Sequence, residues 1–268
     1  MTFIEKLHAA GKKNQSWLCV GLDPDPAQMP ISGILEFNTT IIDATADLVC
    51  AYKPNLAFYE ALGHDGLSIL KKTIEHIPST IPIIGDAKRG DIGNTAKAYA
   101  RSLFEWLGVD AATVNPYLGT DSIEPFTDYK DKGVFILCRT SNPGAIDFQN
   151  VTDAQGRHLY ELVAMKAAEW NRHGNIGLVV GATYPDELKT VRTLCPAMPL
   201  LIPGIGTQGG DLARTILNGI DAHGGNAIIN VSRQVIYASK QGDFAEAARA
   251  SAERLRNEIN DLIKQAQQ

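Results

Sequence analysis

The sequence predicts an α/β fold, a closed (β/α)8 barrel of the TIM type. Two observations carry this. Eight short apolar runs alternate with helix-length amphipathic stretches along 268 residues, close to the ~250 that such barrels need. Several runs are apolar throughout, as strands covered on both faces must be. The rival, an open doubly wound sheet, usually carries a GxGxxG after its first strand, and none follows here.

The strands are expected at Trp17–Leu22, Ala51–Lys53, Ile81–Asp86, Ala112–Asn115, Val134–Arg139, Gly177–Gly181, Leu200–Pro203 and Ala227–Val231. Helical periodicity places helices at Phe37–Val49, Leu67–His76, Ile92–Leu107, Ser122–Lys132, Thr152–His173, Asp186–Leu194, Leu212–Asn218 and Phe244–Lys264. A short extra helix, Phe3–Lys12, precedes the first strand. Pro185 suits a first helical turn, and Asp121 or Ser122 and Asp153 suit helix starts. Gly108, Gly133, Gly174 and Gly219 fall near helix ends, where left-handed caps are common. Nothing resembles a linker or low-complexity segment, so one domain spanning 1–268 is expected.

Charge and cysteine usage narrow the function. A net charge of -5 argues against a general nucleic-acid or membrane-surface role, so an anionic ligand needs a local site. Cys19, Cys50, Cys138 and Cys195 are scattered without a CxxC pair, which suits a reducing cytoplasm. The six histidines show no metal-ligand spacing, and no GxSxG marks a serine nucleophile. No apolar run approaches the ~18 residues of a membrane span, and the N-terminus lacks the apolar core of a signal peptide.

Barrels of this type carry their chemistry at the C-terminal ends of the strands, and polar groups recur there. Asp23 follows the first strand, Lys53 ends the second, and Asn115 ends the fourth. Arg139-Thr140-Ser141-Asn142-Pro143-Gly144 runs out of the fifth, and Asn230-Val231-Ser232-Arg233 out of the eighth. The third strand leads into Asp86-Ala87-Lys88-Arg89-Gly90-Asp91. In an extended strand Asp86 and Lys88 share a face, and such a pair is costly to bury unless paired or used. Each residue also has a plainer reading. Asp91 could cap the next helix, Lys53 could snorkel to the surface, Asp23 could shape a turn, and Asp86 with Lys88 could be a structural rim pair. Their joint occurrence on neighbouring strand ends favours a site.

After the seventh strand comes Pro203-Gly204-Ile205-Gly206-Thr207-Gln208-Gly209-Gly210. Loops seven and eight are the frequent phosphate site of this fold, and glycines expose backbone N–H groups to an anion. Arg233 adds a two-pronged donor and Gln208 an amide.

The pattern Asp86-x-Lys88-x-x-Asp91-Ile92-Gly93-x-Thr95 resembles the signature of the orotidine 5′-phosphate decarboxylases, in the flavour of the bacterial type 2 subfamily. Further matches run the length of the chain, among them Lys53-Pro54-Asn55, Ala57-Phe58-Tyr59-Glu60, Asn115-Pro116-Tyr117-Leu118-Gly119 and Thr140-Ser141-Asn142-Pro143-Gly144. The resemblance implies a lyase that converts orotidine 5′-phosphate to UMP and CO2 without metal or cofactor. It implies a catalytic network of Lys53, Asp86, Lys88 and Asp91. It also implies a homodimer in which Asp91, Ile92 and Thr95 reach into the partner's site. Asp23 would hold the ribose, Ser141 the pyrimidine edge, Pro203 and Ile205 the base pocket, and Gln208 and Arg233 the phosphate. Where many members have glycine before the phosphate arginine, this chain has Ser232. Two alternatives stand beside this reading. One is a Mg²⁺-dependent sugar-phosphate decarboxylase or aldolase with the same Asp-x-Lys-x-x-Asp motif; the other is a non-catalytic UMP-binding barrel.

Overall fold

The computed structural model describes residues 1–206 and 209–268. Eight parallel strands form one sheet: β1 Leu18–Leu22, β2 Ala51–Pro54, β3 Ile84–Arg89, β4 Ala111–Val114, β5 Gly133–Arg139, β6 Ile176–Val180, β7 Leu200–Pro203 and β8 Ala227–Val231. Their order is β2-β1-β8-β7-β6-β5-β4-β3. Two isolated parallel bridges, Tyr52–Ile83 and Asn55–Asp86, join β2 to the β3 segment and close the seam. All eight expected strands are present, and helices cover the outside as the apolar character of both strand faces requires.

The barrel interior is packed by Cys19, Ala51, Ile84, Ala111, Phe135, Val179, Leu201 and Ile228. The N-terminal helix Phe3–Asn14 plugs its lower end: Phe3 and Leu7 join that interior cluster, and the Phe3 ring meets Phe135 edge-on at 5.7 Å. A side chain on Gly133 would overlap the Phe3 ring, so this glycine serves close approach in β5 rather than a helix cap. Gly108 does end its helix, in the left-handed conformation.

Beneath the barrel, the buried Arg192 guanidinium donates to the carbonyl oxygens of Gly219, Cys195, Pro196, Met198 and Asn226. It ties the helix Pro185–Leu194 to the C-terminal end of the helix Leu212–Gly219 and to the approach to β8. Burial pulls its pKa down to about 10, which still leaves it charged at neutral pH.

Several helices differ from the sequence expectation: Phe37–Val49 runs as Ile34–Thr45, Leu67–His76 starts at Gly63, Ser122–Lys132 runs as Thr120–Thr127, and two differ more deeply. Thr152–His173 begins only at Leu159, because Asp153 accepts from the backbone of Gln155 and Arg157 and pairs with the Arg157 side chain. This turn, with Gly156 at φ 79°, holds Thr152 against His158 instead. Ile92–Leu107 begins at Gly93 and passes at Ser102 into a wider, π-helical stretch. Two short helices, Leu56–Glu60 and Arg233–Ile236, follow β2 and β8 directly.

Phe3→Ala should cost about 3–5 kcal/mol, the usual loss for emptying a buried aromatic site. Urea denaturation should show a lower midpoint with the slope unchanged.

Candidate active site

The expected residues of β2 and β3 meet at the C-terminal mouth of the barrel. Asp86 lies between two ammonium groups: Lys53 Nζ is 2.7 Å from Oδ2 and Lys88 Nζ is 2.6 Å from Oδ1. Lys53 is buried, with only 4% of its side chain exposed, so it does not snorkel; half of the Lys88 side chain remains accessible from the mouth. The parallel bridge between Asn55 and Asp86 brings the end of the Lys53 strand beside Asp86.

Burial alone would push the Asp86 carboxyl up, but Lys53 and then Lys88 outweigh it and hold it well below the usual carboxylate range. Burial alone would likewise lower Lys53, but Asp86 and then Asp23 hold it above the usual lysine value. The stability that Asp86 gains by ionising is complete above the ordinary carboxylate range and is lost only as pH falls through its depressed value. That of Lys53 is complete below the ordinary lysine range and is lost as pH rises through its raised value. The pair therefore keeps its charges across the neutral range.

Asp86 and Lys88 meet, but not through a plain extended strand. Lys88 has φ 47°, in the left-handed region that residues with a side chain seldom adopt. The register with β4 shifts over this stretch: Gly85 pairs with Ala112 and Arg89 with Val114. Asp86, Ala87 and Lys88 thus stand opposite Thr113 alone. The Thr113 hydroxyl donates to Asp86 Oδ1 at 2.9 Å and accepts from the N–H groups of Ala87 and Lys88 at 3.0 and 2.9 Å. Sequence reasoning missed Thr113, since it reads as one more residue of a buried strand. Arg89, within the same hexapeptide, turns away to pair with Glu60 and to lie over the Tyr99 ring.

Asp91 does not touch Lys88 within the chain; its carboxylate accepts from the N–H of Ile92. It is not the N-cap of the helix Gly93–Arg101, a position held by Ile92. Ile92 and Thr95 are exposed on the same rim.

Beside the Lys53 strand, on the segments that follow β1, β7 and β8, Asp23, Gly204, Ile205, Asn230, Ser232 and Arg233 line a cleft of about 100 Å³. Ile205 is buried, Pro203 half-buried, and Arg233 exposed at the start of its short helix. Gly204, Gly206 and Gly209 all have positive φ, and the Gly210 N–H donates to the Gly204 carbonyl. Gln208 lies outside the described residues.

Ser232 donates from Oγ to Asp23 Oδ2 at 2.6 Å, while the Tyr237 hydroxyl donates to the Asp23 carbonyl at 2.8 Å. Asp23 Oδ1 is buried without a donor among the described residues. A side chain at Gly21 would overlap the Ser232 hydroxyl, so glycine in β1 makes room for the serine.

Ser141 stands on the loop after β5. The root of that loop is clamped by Gln149, whose side-chain oxygen accepts from the Thr140 N–H and whose nitrogen donates to the Thr140 hydroxyl. The fully buried Arg139 also reaches Gln149 and lies over the Tyr184 ring at 3.6 Å.

Residues 16–250 match the model of the orotidine 5′-phosphate decarboxylase / HUMPS family. The chain belongs to this family. A relative from Dehalococcoides mccartyi named orotidine 5′-phosphate decarboxylase is 57% identical over 268 residues, covering 98% of this chain and 99% of the relative. Among solved structures, Leishmania donovani OMP decarboxylase superposes with a TM-score of 0.89 at 42% identity, over 98% of this chain and 99% of that one. Leishmania donovani UMP synthase gives 0.91 at 44% identity; there the match covers 98% of this chain and 57% of the longer one.

Gly21→Ala should destabilise the fold by about 1–3 kcal/mol through overpacking against Ser232. Gly21→Ala combined with Ser232→Gly should recover most of that loss, and chemical denaturation of the four proteins in the cycle measures the coupling.

Proposed function

We propose that this chain decarboxylates orotidine 5′-phosphate to UMP and CO2, as a homodimer whose sites are shared between two copies. The observation that carries this reading is the Lys53–Asp86–Lys88 array at the barrel mouth, in a chain 57% identical over nearly its whole length to a relative named for this activity. The same naming favours orotidylate over a sugar phosphate, and charges at all the network positions favour an enzyme over a binding protein.

The chemistry is electrostatic. Cleavage of the bond between C6 and the carboxylate leaves its electron pair on C6, and CO2 departs. The Lys88 ammonium faces that developing anion, stabilises it, and delivers one proton to C6; solvent then returns a proton to the amine. Asp86 fixes the ammonium from behind, and Asp91 of a second copy completes the bracing. Two unit charges ~4 Å apart interact by roughly 4 kcal/mol at an effective dielectric of 20, less than the ~8–23 kcal/mol of enzymatic acceleration. Remote binding must supply more. Arg233 and Gln208 hold the phosphate, and that binding energy assembles the charged array.

The unpartnered Asp23 Oδ1 supports a place for ribose hydroxyls, which would donate to it. Lys53 and the second copy's Thr95 assist there, Ser141 reads the pyrimidine edge, and Pro203 and Ile205 flank the base. The exposed apolar residues Ile92, Tyr117, Leu118 and Phe148 lie on the segments that follow β3, β4 and β5, and support a second copy on this rim. We place the enzyme in the cytoplasm, in keeping with four free, buried cysteines; no described helix is long and apolar enough to cross a membrane.

Purified protein with a chelator should remove the near-ultraviolet band of orotidylate and yield UMP; binding without turnover, or activity that needs added Mg²⁺, would overturn the reading. Lys88→Ala should abolish decarboxylation with the fold intact by circular dichroism. Arg233→Ala should weaken substrate binding and lower turnover, yet hardly affect a substrate lacking phosphate; equal losses on both would contradict the phosphate assignment.

A further inference from the structure

We infer that Thr113 is a positioning residue for Lys88, its one hydroxyl both aiming the Asp86 carboxylate and holding the left-handed backbone from which Lys88 emerges. This rests on the reading of Lys88 as the proton donor.

A threonine hydroxyl has one hydrogen to give and two lone pairs to fill. In Thr113 the Ala87 and Lys88 N–H groups take both lone pairs, and the hydrogen goes to Asp86 Oδ1. The side chain is buried, with 1% exposure, so its bonds are made inside the protein. Nothing else is left for that hydrogen to do, and the hydroxyl becomes a fixed donor to the carboxylate.

The backbone explains why a side chain is needed. Between the pairs Gly85–Ala112 and Arg89–Val114, three residues of β3 face one of β4. A bulge of this kind disrupts the regular ladder. Thr113 supplies the missing acceptor to two successive N–H groups. These are the groups on either side of the Ala87–Lys88 step, at which the chain enters φ 47°. A left-handed residue with a side chain persists only when its surroundings hold it there. Asp86 Oδ1, the oxygen that Thr113 fixes, is the same oxygen that meets Lys88 Nζ. One residue thus controls both ends of the Lys88 side chain: the backbone at its root and the carboxylate at its tip.

Thr113→Val keeps the shape and removes the hydroxyl; Thr113→Ser keeps the hydroxyl. Small displacements of a reacting group cost about 100-fold per ångström. Thr113→Val should lower kcat by about 10- to 100-fold, while KM and the dissociation constant of UMP stay within about threefold of the parent. Thr113→Ser should keep kcat within about threefold. If the valine variant folds poorly by circular dichroism or thermal melting, Thr113→Ala is read in the same way. The inference fails if the hydroxyl-free variant retains parental kcat while Lys88→Ala is inactive. It fails also if serine is as impaired as valine, or if UMP affinity falls in step with kcat. Turnover surviving in Lys88→Ala would remove the lysine reading, and this inference with it.

Discussion

The Asp86 carboxylate is the constraint on which the site depends. It accepts from Lys53 on one oxygen and from Lys88 and Thr113 on the other. Taking a carboxylate and an ammonium out of water costs several kcal/mol per ion, and only good geometry with further hydrogen bonds repays it. Here the Lys53–Asp86 pair is buried, and the second ammonium and the hydroxyl saturate the anion. Removing any one partner would leave a buried charge short of compensation. The array is therefore cooperative: each member is tolerable because the others are present.

That cost is carried by a molecule whose stabilising parts lie elsewhere. Phe3 and Leu7 close the lower end, and Arg192 collects backbone carbonyls beneath the barrel. The upper end carries glycine-rich loops, half-buried charges and a left-handed lysine. The division follows from parallel topology. Every strand points its C-terminal end at the mouth, so eight loops converge there with few mutual packing duties, while the opposite face is free to be optimised for packing.

Much of this was legible in sequence because buried parallel strands write their signal as continuous apolar runs. Each run from Leu18–Leu22 to Ala227–Val231 stands in the sheet, with the third shifted from the expected Ile81–Asp86 to Ile84–Arg89. The helix after β5 was overextended because Asp153 reads as a helix start, whereas it holds a turn with Arg157 and the helix begins at Leu159. Asp86, Lys88 and Lys53 were legible as charges behind apolar strands. The bulge was not, since left-handed conformation at Lys88 follows from tertiary hydrogen bonds and not from local propensity. Thr113 was hidden for a related reason: β-branched and strand-forming, it looks like packing. Asp91 lies apart from Lys88 because the chain alone does not bring them together, and no pattern in one sequence measures that distance.

The Ser232 position shows how the rim tolerates a change in a family pattern. A hydroxyl placed beside Asp23 needs space, and β1 yields it at Gly21, the strand partner of Lys53. The serine then occupies Asp23 Oδ2 and leaves Oδ1 to face other donors. One Asp23 oxygen is held by a hydroxyl and the other is open, whereas in Asp86 both are occupied, one by Lys53 and the other by Lys88 and Thr113 together. In both carboxylates a neutral hydroxyl does the aiming. A hydroxyl can fix a carboxylate at little electrostatic cost, whereas a further cation would add a charge to desolvate and, at Asp86, compete with Lys53 and Lys88 for it. Around both carboxylates, orientation is delegated to neutral side chains behind them.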